Sequence, residues 1–148
     1  MESIGRYSAA IYRLSQSIFN NKLKELEMGS GQYDFFLVIA HNEGINQKDL
    51  GDRLYVEKST TAKAVQYLKA KGYIRKNKVE KDKRYSSLYL TEKGRAASEA
   101  VESVFSEILG IFSKDIPESA IEETILVLKK VINNLHQEKS KYTSTFSD

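Results

Sequence analysis

Apolar residues open the chain at alternating steps of three and four: Ile4, Tyr7, Ile11, Leu14 and Ile18. That spacing puts them on one face of a helix of about 25 residues, ending near the MGSG at 28–31, where Gly29 and Gly31 break it. A denser apolar stretch, YDFFLVIAHNEG, reads as a second helix with Gly44 as its C-terminal cap. Residues 46–54 read as a short helix with Asn46 as N-cap and with Leu50 and Leu54 one turn apart on its buried side. After Tyr55 and Val56 comes a longer helix, EKSTTAKAVQYLKAKG, stopped by Gly72. Its apolar residues Ala64, Val65 and Leu68 turn inward, which leaves Lys58, Ser59, Thr60, Thr61, Lys63 and Gln66 for the outer surface.

The period then changes. YIRKNKV and YSSLYLT are short, aromatic and β-branched, and they flank the charged turn EKDKR at 80–84, so they predict a two-stranded hairpin. The tip lacks an Asn-Gly or other glycine turn, which predicts a longer loop in place of a two-residue connection. Helical spacing returns from Glu92, with Thr91 as cap and an apolar stripe at Ala97, Val101, Val104, Ile108 and Ile111. Pro117 marks the start of the last helix, where its missing N–H costs nothing, and Ile121, Ile125, Leu128, Ile132 and Leu135 line that helix. After Gln137 the chain is polar and is expected to leave the helix as a flexible tail over 139–148. The expected fold class is mainly α with a small β-hairpin wing. A winged helix-turn-helix region over 32–91 is flanked by dimerisation helices over 1–28 and 92–138.

Charge sharpens this picture. The net of +3 is unevenly spread, because residues 46–90 carry twelve Lys/Arg against five Asp/Glu, a net of +7, while both flanks are net negative. A basic segment of that kind attracts a polyanion by neutralising phosphates and releasing counterions. The absence of cysteine excludes disulfides, thiolate metal sites and sensing by cysteine oxidation. With only His41 and His136, far apart in sequence, no metal site and no cofactor are expected. There is no Gly-rich phosphate loop and no nucleophile elbow, so nothing points to an enzyme. No apolar run approaches a membrane span and the N-terminus lacks a signal-peptide core, so the expected location is the cytoplasm.

The order helix, turn, helix, strand, wing, strand fits double-stranded DNA. The major groove admits one helix, and the helix before it braces it across the backbone. Ser59, Thr60, Thr61 and Lys63 provide small polar and cationic groups near the start of the second helix, with Lys58 and Gln66 beside them. Lys78, Lys81, Lys83 and Arg84 gather at the hairpin, where a cationic loop suits the focused negative potential of a minor groove. Asp82, two residues before Arg84, is placed to orient its guanidinium. A different class of reading, a winged-helix module that binds an acidic protein partner without DNA, uses the same basic wing. The apolar stripes of the first helix and the last two are longer than a 45-residue module covers, which points to a homodimer with two recognition helices on one face.

The segment RKNKVEKDKRYSSLYLTEKG closely resembles the wing and following helix start of the MarR family of bacterial transcription regulators. The pattern is Asp82-x-Arg84, alternating residues to Leu90-Thr91, then Gly94. Upstream, NQKDLGDRLYVEKSTTAKAVQYLKAKGYI is similar to that family's helix-turn-helix, and the flanking helices fall in the family's order. The resemblance implies a homodimer on a near-palindromic operator, usually as a repressor, with Arg84 entering the minor groove. It also implies release by a small, often phenolic or anionic, ligand, for which Tyr7, Ile11, Arg13, Tyr33 and Phe36 are the candidate lining. The chain departs from the pattern at Ala62 and Lys63, where many relatives carry Thr and Arg, so its operator is not inferable from theirs.

Overall fold

The computed structural model describes residues 1–78 and 86–143. They divide into two compact units, Met1–Ile108 and Leu109–Asp148. In the first unit, α1 (Ile4–Lys22) starts at Ser3, whose hydroxyl accepts the Arg6 N–H. The helix stops before the expected glycines, and a 3-10 turn over Lys24–Leu26 follows, with Glu27 in the left-handed region at φ 52°. The early break has a packing cause. Phe19, Leu23 and Met28 are all buried, and a continuing α-helix would carry Leu23 and Met28 to different faces.

The remaining elements follow the sequence pattern closely. Helix α2 (Tyr33–His41) is the apolar centre, with Phe36 and Ile39 fully buried. Gly44, at φ 96°, then lets the chain reverse so that its N–H donates to the Leu88 carbonyl at 2.8 Å. Helix α3 (Gln47–Leu54) is capped as expected, the Asn46 side chain accepting the Asp49 N–H at 2.8 Å. Tyr55 takes a left-handed conformation in the turn, and α4 (Lys58–Ala70) packs Ala64, Val65 and Leu68 into the core. Each of the larger two contributes about 1.5–3 kcal/mol by leaving water. Strands β1 (Ile74–Lys78) and β2 (Ser86–Leu90) pair antiparallel, Ile74 facing Leu90 and Lys78 facing Ser86. The backbone at 44–46 pairs with the other edge of β2, through the Leu88 N–H to the Ile45 carbonyl and a bridge between Asn46 and Ser87.

Helix α5 (Glu92–Ser113) leaves the hairpin through a compact knot of hydrogen bonds. Thr91 N–H donates to the Tyr73 carbonyl, the Thr91 hydroxyl donates to the Gly72 carbonyl, and the same hydroxyl accepts the Gly94 N–H. Ala97, Val101 and Ile108 carry α5 into the core of the first unit. In the second unit, Pro117 precedes α6 (Glu118–Thr143) and its carbonyl accepts the Ala120 and Ile121 N–H groups. The helix runs past Gln137, where the polar composition predicts it to end, and a Lys141–Glu138 pair lies on its last turns. The tail expected over 139–148 is therefore helical to Thr143. This is a mainly helical winged helix-turn-helix fold.

Candidate nucleic-acid interface

The exposed side of α4 carries most of the chemistry read from the sequence. Lys58, Ser59, Thr60, Lys63 and Gln66 are all solvent-exposed, grouped along the first turns of the helix. Thr61 is not among them. It is 1% exposed, its hydroxyl donates to the Glu57 carbonyl at 2.9 Å, and it packs against Gly51 of α3. The expectation that Thr61 belongs to the outer surface is therefore corrected. At about 100° per residue the helix turns Thr61 onto the same side as Ala64, Val65 and Leu68, at steps of three, four and seven. A Cβ at residue 51 would lie 2.7 Å from the Thr61 hydroxyl oxygen and 3.1 Å from the Val56 carbonyl oxygen, so glycine lets α3 and α4 meet this closely.

Helix α4 is also held at its C-terminal end by phenols. The Tyr67 hydroxyl donates to the Glu27 carbonyl, and the Tyr73 hydroxyl donates to the Leu26 carbonyl at 2.6 Å. Lys71 pairs with Glu27 at 3.2 Å, which raises the lysine pKa above its ordinary value, while burial raises that of Tyr73. The Tyr73 phenol therefore stays a protonated donor through the neutral range.

Between α3, the start of α4 and the hairpin lies a cleft of about 590 Å³. Gln47, Lys48, Asp52, Lys58, Lys76 and Ser86 are among its lining. Lys76 Nζ reaches the Gln47 amide oxygen at 3.4 Å, and Lys48 pairs with Asp52 at 2.8 Å. On the opposite face of the hairpin the Arg75 guanidinium lies 4.7 Å from the Tyr89 ring and donates to Asn77 at 2.6 Å. Lys78 is the last residue of β1, in register with Ser86. Lys81, Asp82, Lys83 and Arg84 lie outside the described residues. Gln47, Lys76 and Ser86 were not singled out from the sequence. The signal was the two-residue strand period, which places Lys76 on the face of Ile74, Leu88 and Ser86.

The residues named for a ligand crevice differ in exposure. Phe36 is fully buried and Tyr33 is 7% exposed, stacked on Phe19 at 3.7 Å between ring centroids, so both serve as core. Burial raises the Tyr33 pKa, and also that of neighbouring Asp34. Tyr7, Ile11 and Arg13 sit on exposed positions of α1. Among the described residues no cluster of three or more metal-ligating side chains is found, and no helix is long and apolar enough to cross a membrane.

Three helices ending in an exposed polar recognition helix, followed by a basic hairpin, define a winged helix-turn-helix protein. A family model described as MarR family matches residues 27–84. The MarR protein from Peptoclostridium difficile is 31% identical, with a TM-score of 0.87, over 96% of this chain and 94% of that one. A putative MarR family transcriptional regulator from Listeria monocytogenes, solved in complex with 26mer DNA, is 28% identical with a TM-score of 0.88, covering 100% of this chain and 98% of that one. YybA, an uncharacterised HTH-type transcriptional regulator of Bacillus subtilis, is 36% identical over 95 residues, 64% of this chain and 63% of that protein. The match thus spans less than two thirds of that relative's length. The chain belongs to the MarR family of winged helix-turn-helix transcriptional regulators.

Proposed function

We propose that the protein is a homodimeric DNA-binding regulator, acting in the cytoplasm as a repressor on a near-palindromic operator, and that it is not an enzyme. The observation that carries this reading is the exposed row Lys58, Ser59, Thr60, Lys63 and Gln66 on α4, next to a basic hairpin. Hydroxyls, an amide and lysines at the start of a helix suit base edges and phosphates of a major groove. Lys78, Lys81, Lys83 and Arg84 supply the wing's charge, with Arg84 in the minor groove and Asp82 orienting it. The Listeria relative's complex with DNA supports the same reading.

Exposed apolar residues support the dimer. Ile4, Tyr7, Ile11 and Leu14 of α1 are 50–69% exposed, and in the second unit Leu126 and Leu135 of α6 are 66% and 65% exposed. A single chain leaves these rows in water; a second copy, related by a two-fold axis, covers them. A small effector, implied by family resemblance, would meet Tyr7, Ile11 or Arg13 in preference to Tyr33 or Phe36, which the core consumes.

Titrating a random-sequence duplex at several salt concentrations tests the DNA reading. The expected result is affinity that falls steeply and linearly in log salt. Absent or salt-independent binding would sink it and favour a protein partner for the wing. Light scattering should give twice the chain mass at micromolar concentration, and a monomer there contradicts the dimer.

A further inference from the structure

The hairpin leaves one edge of its sheet open. The Leu88 N–H donates to the Ile45 carbonyl and the Leu88 carbonyl accepts the Gly44 N–H, so both backbone groups of Leu88 face the chain at 44–46. Lys76 stands opposite Leu88. In an antiparallel ladder, opposed residues alternate between pairs that exchange both hydrogen bonds and pairs that exchange none. Lys76 and Leu88 are a pair of the second kind, and the Lys76 N–H and carbonyl therefore point away from β2. The same alternation turns the backbone groups of Ile74 and Lys78 outward, whereas those of Arg75 and Asn77 pair with Tyr89 and Ser87. Among the described residues β1 pairs with β2 alone, and Arg75, Lys76 and Asn77 are exposed. The free edge is a row of donors and acceptors that repeats about every 6.7 Å. Its sequence is basic: β1, IRKNK, carries Arg75, Lys76 and Lys78 and no carboxylate, and β2, SSLYL, is uncharged. Arg75 is held over Tyr89 on one face of the hairpin, and Lys76 belongs to the other.

We propose that the β1 edge takes an extended acidic segment of a partner protein, which adds a hydrogen-bonded strand beside β1 and sets two adjacent carboxylates opposite Arg75 and Lys76. A polypeptide backbone offers N–H groups and carbonyls in the alternation this edge requires. A phosphate chain brings acceptors alone and leaves the outward carbonyls of Ile74 and Lys76 unmatched. A second copy of β1 fits poorly, since an antiparallel pairing centred on Lys76 sets Lys76 against Lys76. Charge on an edge strand ordinarily guards against such self-pairing. The same charge favours a strand of opposite sign, because opposed charges on paired strands attract. The inference stands apart from the DNA reading, which rests on the exposed row of α4.

The test uses the full-length protein and a fluorescent octapeptide of Thr and Val with two adjacent Glu at its centre. Binding is followed by anisotropy, and amide hydrogen exchange along β1 is read by NMR. The expected result is saturable binding with slowed exchange at Lys76 and Lys78, while Arg75 and Asn77 exchange slowly with or without peptide. The same peptide N-methylated at the alternate amides that face the edge, or carrying Lys in place of Glu, should bind at least about tenfold more weakly. Lys76→Gln keeps the outward N–H and should weaken binding about twofold to fivefold. Lys76→Pro also removes that N–H, a change that an edge strand tolerates, and should weaken binding a further threefold to tenfold or about that. Circular dichroism checks the fold of both variants, and the exchange pattern of the unaltered protein decides the matter if Lys76→Pro does not fold. Absence of saturable binding, equal binding of the N-methylated peptide, or protection that does not alternate along β1 overturns the proposal. So does a random-sequence duplex that slows the Lys76 amide where the peptide does not, which would assign the edge to nucleic acid. Duplex titration of the unaltered protein decides the DNA reading separately.

Discussion

Gly94 is the residue whose replacement the structure constrains most tightly. A Cβ there would lie 2.1 Å from the Tyr73 carbonyl oxygen, 3.2 Å from its carbon and 3.4 Å from Leu90 Cβ. Carbon and oxygen approach to about 3.3 Å at closest comfortable contact, so the Gly94→Ala variant must open this gap by roughly 1 Å. The obstacle is backbone and has no rotamer to change. The Tyr73 carbonyl is also fixed, since it accepts the Thr91 N–H at 3.1 Å. Overpacking of this kind costs about 1–3 kcal/mol, and weakening the Thr91 bond adds about 1 kcal/mol. The gain in helix propensity from Gly to Ala, about 1 kcal/mol, offsets part of that. The net is a destabilisation of about 2 kcal/mol. For a chain of this length that lowers Tm by about 4–8 °C. Thermal melts by circular dichroism, at fixed protomer concentration because association shifts Tm, provide the measurement. In Gly110→Ala, on the same helix, the new Cβ meets nothing within 4 Å and should raise Tm by a few degrees, about 1 kcal/mol of propensity. An unchanged or higher Tm for Gly94→Ala would refute the steric account.

Other expected outcomes concern the interface and the core. Arg84→Ala should weaken duplex binding by about 1–3 kcal/mol, measured by anisotropy, and unchanged affinity would mean that the wing does not enter the groove. Lys63→Ala should lower affinity for a selected sequence more than for random duplex; a uniform loss would assign Lys63 to a phosphate. Burial raises the Asp34 pKa, so the folded state holds this proton more tightly than the unfolded chain does. That contribution is present below the ordinary carboxylate range and is lost as pH rises through the folded pKa, leaving a half-buried charge at neutral pH. Asp34→Asn should therefore raise Tm at pH 7, with the gain shrinking toward pH 3, and a gain independent of pH would contradict this assignment.

The helix-turn-helix was legible because its boundaries are set by single residues with local physical roles. Asn46 caps, Gly44 and Gly72 take positive φ, and Leu50 and Leu68 keep the expected faces. The misses arose where composition stood in for geometry. Ser59, Thr60 and Thr61 read as one polar run, yet successive helical residues point in different directions and only Thr61 turns inward. Tyr33 and Phe36 looked available to a ligand because aromatic side chains suit one, while their three-residue spacing already matched the buried face of α2. The end of α1 was invisible for another reason. It is set by where Leu23 and Met28 must go, a tertiary demand that glycine positions do not encode. The polar last turns of α6 are helical by the opposite logic, since Glu and Lys are good helix formers even without an apolar face.

The hydroxyls of Tyr67 and Tyr73 end on the carbonyls of two consecutive residues, Glu27 and Leu26. Exposed connections between helices ordinarily tolerate changes of length over evolutionary time. This one should not. One residue gained or lost between α1 and α2 would put the wrong carbonyls before the two phenols and re-aim α4, although the altered segment lies some forty positions upstream. Homologous chains that keep both tyrosines should keep this spacing without gaps, and chains that vary it should have lost at least one phenol.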